Sequence, residues 1–128
     1  MNLPHLPIEQ ALSFNAAAIN RVINASVQDP QHREPIHEQV SEMVAECIGA
    51  WRDRALIPVH TITVDEGDYQ HPPEDLSPRQ LPNGYPVLVI SFNGAKLGMV
   101  GVKRRPDFKF DIVVAELTAS KLMLEGVQ

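Results

Sequence analysis

The sequence predicts an α+β fold: two N-terminal helices packed on an antiparallel sheet of about four strands, followed by a short C-terminal helix. Three observations point there. Apolar residues recur at helical spacing as far as Trp51. After Pro58 the period becomes alternating and β-branched. Asn93-Gly94, a hairpin dipeptide, then separates two apolar runs. With 128 residues, 44% of them apolar and 21% charged, the chain is expected to form one domain, 1–128. A chain of this length buries roughly two thirds of its unfolded surface, enough for a core without staples. Aromatic residues make up only 5%, so that core must be mainly aliphatic.

The first helix is expected from about Pro7 to Val27, where Ile8, Leu12, Ile19, Val22 and Ile23 keep helical spacing. Pro7 suits a first helical position, and Gln28-Asp29-Pro30 ends the element. The second helix opens at Pro35. Ile36, Val40, Met43, Val44, Cys47, Ile48 and Trp51 trace one apolar face, and Arg52 and Arg54 favour the last turn. Gly49 interrupts it and is read as a place where another backbone comes close.

Val59 to Val64 reads as the first strand. Residues 65–86 hold five prolines and no periodicity, which reads as a stiff, extended loop. A meander covers Val87–Val114. Val87–Phe92 is apolar on both faces, as in a central strand. Leu97–Lys103 returns, with Gly98 and Gly101 leaving one or both of its faces bare, and Arg105-Pro106-Asp107 turns again. In the third strand Phe108, Phe110, Ile112 and Val114 share one side. Leu117–Glu125 is the terminal helix, and Val113–Leu124 as a single helix is the competing reading.

Charge is distributed unevenly. Residues 1–56 carry a net −3, residues 57–86 a net −4 and residues 87–128 a net +2. Lys103, Arg104, Arg105 and Lys109 flank one turn and form a candidate anion or nucleic-acid contact, because guanidinium forks match phosphate oxygens. The competing reading is a charged hairpin end that guards a sheet edge. Asp65, Glu66, Asp68, Glu74 and Asp75 are expected to fold back and partly shield that turn. On the second helix Glu38, Glu42 and Glu46 form a candidate docking stripe for a basic partner, against the plainer reading of a solvated face.

No catalytic, cofactor-binding or metal-ligating residue is assigned. His60, Asp65, Asp68 and His71 have ligand chemistry, but their spacing matches no established site. His37-Glu38-Gln39-Val40-Ser41 has Ser41 where a metalloprotease helix needs its second histidine. Cys47 lies on the apolar helix face, which makes an inert thiol, and Ser41 and Ser91 have no recognisable partners. Asp107, Asp111 and Glu116 flank a strand as nuclease acids do, but Thr118 stands where the lysine belongs. No Gly-rich phosphate or dinucleotide loop is present, and no cofactor is expected.

The single cysteine rules out an internal disulfide and favours a reducing compartment. No run reaches the ~18 apolar residues of a membrane span, and the N-terminus lacks the pattern of a signal peptide. The expectation is therefore a small, non-catalytic cytoplasmic binding protein acting through protein–protein contacts. Its expected partners are a second copy, because the sheet is greasy on both faces, and another protein. The alternative is a nucleic-acid-binding protein using Lys103 to Lys109. Third comes a small metal-dependent hydrolase or nuclease.

Overall fold

The computed structural model describes residues 11–70, 81–107 and 109–117. Its elements run β1 (Leu12–Phe14), α1 (Ala16–Ser26), α2 (Pro30–Arg54), β2 (Ile62–Asp68), β3 (Pro86–Phe92), β4 (Ala95–Arg104) and β5 (Phe110–Glu116). The five strands form one mixed sheet in the order β1-β2-β3-β4-β5, and both helices pack on one face of it. The α+β layering expected from periodicity is therefore present, with one more strand than expected.

That extra strand replaces part of the expected first helix. Leu12, Ser13 and Phe14 lie in parallel register with Ile62, Thr63 and Val64. Asn15 then makes the corner. Its backbone N–H donates to Val64 O at 3.1 Å, and its side chain accepts from Ala17 N as the N-cap of α1. The helical spacing of Leu12 with Ile19 is real, but strand β2 offers the backbone of residues 12–14 a ladder, and the asparagine cap starts the helix only after it. Residues 7–10 lie outside the described residues.

Helix α2 starts five residues earlier than expected. Asp29 accepts from Gln31 N at 3.0 Å, and Pro30 occupies the first turn. Pro35 therefore sits inside the helix. The α1–α2 joint is stitched by Arg33, whose Nε donates to Val27 O at 2.9 Å and Nη2 to Gln28 O at 3.1 Å. These are carbonyls left without helical partners where α1 ends. Ile36, Val40, Val44, Cys47, Ile48 and Trp51 are buried, as the apolar stripe required. Gly49 is not a close approach: a Cβ there would meet nothing within 4 Å.

Strand β2 begins later than expected and continues through Asp65, Glu66, Gly67 and Asp68, each paired with β3. Acids and glycine are poor strand formers, but an unbroken cross-strand ladder outweighs that preference. The expected loop at 65–86 is thus shorter at both ends, and residues 71–80 lie outside the described residues. Tyr69 and Leu81 are buried against Val87 and Met99 on the sheet face opposite the helices. Between β3 and β4, Asn93 (φ 51°) and Gly94 (φ 83°) make the expected two-residue turn, and the β3–β4 register shifts between Ile90 and Ser91, just before it.

The glycines of β4 do not leave bare faces. Trp51 fills the space over Gly98, and Leu81 and Val87 fill that over Gly101. Strand β5 lies two residues later than expected. Phe110 and Ile112 pack against the helix-side core, while Val114 on the same face is 39% exposed. Phe108 lies outside the described residues. Residues 113–116 are strand, so the single-helix reading of Val113–Leu124 fails. Leu117 N donates to Leu97 O at 2.8 Å, so the expected terminal helix does not begin at Leu117, and residues 118–125 lie outside the described residues.

Candidate functional site

Helix α2 presents Glu34, Glu38, Glu42 and Glu46, all exposed, at four-residue intervals. Each step of four residues advances slightly beyond one helical turn, so the row winds gradually around the helix. Its N-terminal end borders a groove of ≈ 590 Å³ between the two helices, lined by Asn20, Ile23 and Asn24 of α1 and by Glu34, His37 and Glu38 of α2. Among the described residues, none of the four glutamates joins an ion pair or a side-chain hydrogen bond. Arg33, the cation in the groove lining, is already committed to the Val27 and Gln28 carbonyls noted above.

 
Both acceptors are neutral carbonyls, so Arg33 is held in place and keeps its positive charge in the groove lining, at the Glu34 end of the row. Ser41 lines the same groove beside His37.

The basic turn is built differently. Arg105 reaches Asp107 through two bonds, Nη2 to Oδ2 at 2.7 Å and Nε to Oδ1 at 3.1 Å, and reaches Asp111 Oδ1 through Nη1 at 3.3 Å. The bidentate bond to Asp107 pushes the Arg105 guanidinium further up and holds the Asp107 carboxyl below its ordinary range. Lys103 lies opposite Asp111 in the β4–β5 register. The turn thus carries its own counter-charges. Of the acids expected to shield the turn, Asp65 and Glu66 have other partners. Asp65 accepts from Asn15 Nδ2 at 2.9 Å and from Glu66 N at 2.7 Å, while Glu66 pairs with Arg21 at 2.7 Å. Glu74 and Asp75 lie outside the described residues. Arg104 lines a hollow of ≈ 250 Å³ together with His32 and Phe110.

The remaining sequence candidates do not converge. Asp107 and Asp111 are held by Arg105, and Glu116 is paired with Arg54 at 3.6 Å. Among the described residues no group of three or more His, Cys, Asp or Glu side chains is placed to hold a metal ion. His71 lies outside them. Cys47 is buried, and that burial, followed by the nearby Glu46 and Glu116, pushes its thiol up, away from the reactive thiolate.

Sequence reasoning missed two features. One is the α1 wall of the groove, for which the spacing of Asn20 and Asn24 beside Ile23 was a faint signal. The other is a buried polar link from α1 to the sheet. Ser26, only 4% exposed, donates to Val102 O at 2.8 Å. Its hydroxyl hydrogen being used there, Ser26 Oγ accepts from Tyr85 OH at 2.5 Å. No sequence pattern connects residues this far apart. No protein-family model, curated protein or solved structure matches the chain.

Proposed function

We propose that this chain is a docking protein whose helical layer receives a cationic segment of another protein. The groove between α1 and α2 is the seat, and Glu34, Glu38, Glu42 and Glu46 supply the attraction. The observation that carries this reading is the contrast between the two charged surfaces. No glutamate of the acidic row is in an ion pair among the described residues, whereas Arg105 of the basic turn is committed to Asp107 and Asp111. Carboxylates left open to solvent steer an oppositely charged partner and set its register.

The test is fluorescence anisotropy with a labelled lysine-rich amphipathic peptide, beside a peptide of the same composition in scrambled order. Binding should weaken about tenfold in the double variant Glu38→Gln, Glu42→Gln, and should fall as salt is raised. Equal affinity for both variants and both peptides would remove the reading.

A second reading rests on the hollow where Arg104 lies beside His32 and Phe110. Cations next to an aromatic ring suit a stacked nucleotide, and Lys103 and Lys109 would add phosphate contacts. A mobility-shift assay over a salt series decides it. Phosphate contacts give affinity that falls steeply with salt and weakens in Arg104→Gln and Lys109→Gln.

A further inference from the structure

We infer that strand β5 is a self-pairing edge, joining two copies of this chain into one continuous sheet. This inference stands on observations separate from the helical groove. The orientation of the β5 backbone follows from both ends of its ladder. Arg105 N donates to Lys109 O and Leu117 N donates to Leu97 O, each at 2.8 Å. Bonded pairs alternate in an antiparallel ladder, so Asp111, Val113 and Ala115 bond inward to β4. Phe110, Ile112, Val114 and Glu116 then turn their N–H and C=O groups outward. Among the described residues β5 is the last strand of the sheet, and none of these four residues makes a backbone hydrogen bond beyond the β4 ladder.

Proteins usually blunt such an edge with proline, lysine, a bulge or brevity. The opposite edge, β1, is only three residues long. Strand β5 has seven residues, contains no proline or lysine, pairs with β4 without a register shift and is uncharged from Ile112 to Ala115. Val114 is 39% exposed on it.

The occupant that fits is a second β5. An antiparallel pair centred on Val113 uses every outward group. Ile112 meets Val114 of the second copy, and Phe110 meets its Glu116, each pair occurring twice and exchanging two hydrogen bonds. Asp111 falls opposite Ala115, so no acid faces an acid directly or on the diagonal. The two β-branched pairs cover Val114. The two-fold axis stands perpendicular to the sheet, which keeps the helices of both copies on one side.

Sedimentation of the full chain at tens of micromolar should give twice the 14.2 kDa chain mass. Val114→Lys should return it to a single chain with its circular dichroism unchanged. Should that variant fail to fold, cysteine placement decides the question. Val113 and its counterpart form a closely spaced pair without hydrogen bonds, suited to a disulfide. Under mild oxidation Val113→Cys should therefore give a covalent dimer, while Ala115→Cys and the wild type, with Cys47 buried, should not. A wild-type monomer, or cross-linking through Ala115→Cys as readily as through Val113→Cys, would overturn the proposal.

Discussion

Replacing Gly98 by alanine tests the packing of α2 on the sheet at its tightest point. A Cβ at Gly98 would overlap the end of the Trp51 ring and would lie 2.8 Å from Ala115 O, a backbone atom of the neighbouring strand. Neither obstacle moves easily. Trp51 is 4% exposed, and Ala115 is held in the β4–β5 ladder. Overpacking of this kind costs ~1–3 kcal/mol, against the ~0.4–1 kcal/mol that alanine gains by restricting the unfolded chain. A net loss of ~1–2 kcal/mol follows, or about 3–10 °C in melting temperature for a domain of this size. Urea unfolding followed by fluorescence reads it directly, since Trp51 is the only tryptophan and sits at the contact. The folded-state emission should shift as the ring is displaced. In a Trp51→Leu background, followed by circular dichroism, the same alanine should cost less, because only the Ala115 carbonyl still opposes it. An unchanged or higher midpoint for Gly98→Ala, with unchanged emission, would refute the assigned contact.

Gly49→Ala should act in the opposite direction. Nothing lies within 4 Å of the new methyl group, so the variant should gain up to ~1 kcal/mol from helix propensity, read as a higher urea midpoint. Ser26→Ala strands the Val102 carbonyl, leaves the Tyr85 hydroxyl only its 3.3 Å bond to Ala25 O and should cost ~1–3 kcal/mol; Tyr85→Phe should cost less, because Ser26 keeps its bond to Val102 O. Asp65 has its carboxyl held below its ordinary 3.8, first by the Glu66 backbone N–H and then by the Asn15 amide. A folded-state value below the unfolded one contributes stability above the unfolded value, and that contribution is lost as pH falls through the folded one. Asp65→Asn should therefore flatten the decline in urea midpoint between about pH 5 and about pH 2. A decline as steep as in the wild type would count against the two hydrogen bonds.

Elements whose signal is local were legible in the sequence. The apolar stripe from Ile36 to Trp51 needs only its own periodicity, and Asn93-Gly94 needs only the left-handed backbone that these residues tolerate. The acidic row was legible for the same reason, because a four-residue spacing places residues along one side of any helix. The groove beside it was not, because its second wall belongs to a different helix. The basic turn shows the limit from the other side. Charge counting marked Arg105 as available, yet it also counted Asp107 and Asp111 without showing that both carboxylates reach the same guanidinium.

The sequence by itself determined the layering: an aliphatic helical stripe can be buried only against another apolar surface, and β-branched runs around a tight turn supply one. Tertiary structure alone decided that Leu12–Phe14 is a strand and that Asp65–Asp68 continues one, since their hydrogen-bond partners lie far along the chain. It also decided what fills the space over Gly98. The physical reason is common to all three. A backbone group or a vacant side-chain position has no preference until a distant segment arrives to satisfy it, and local spacing carries no record of which segment that will be.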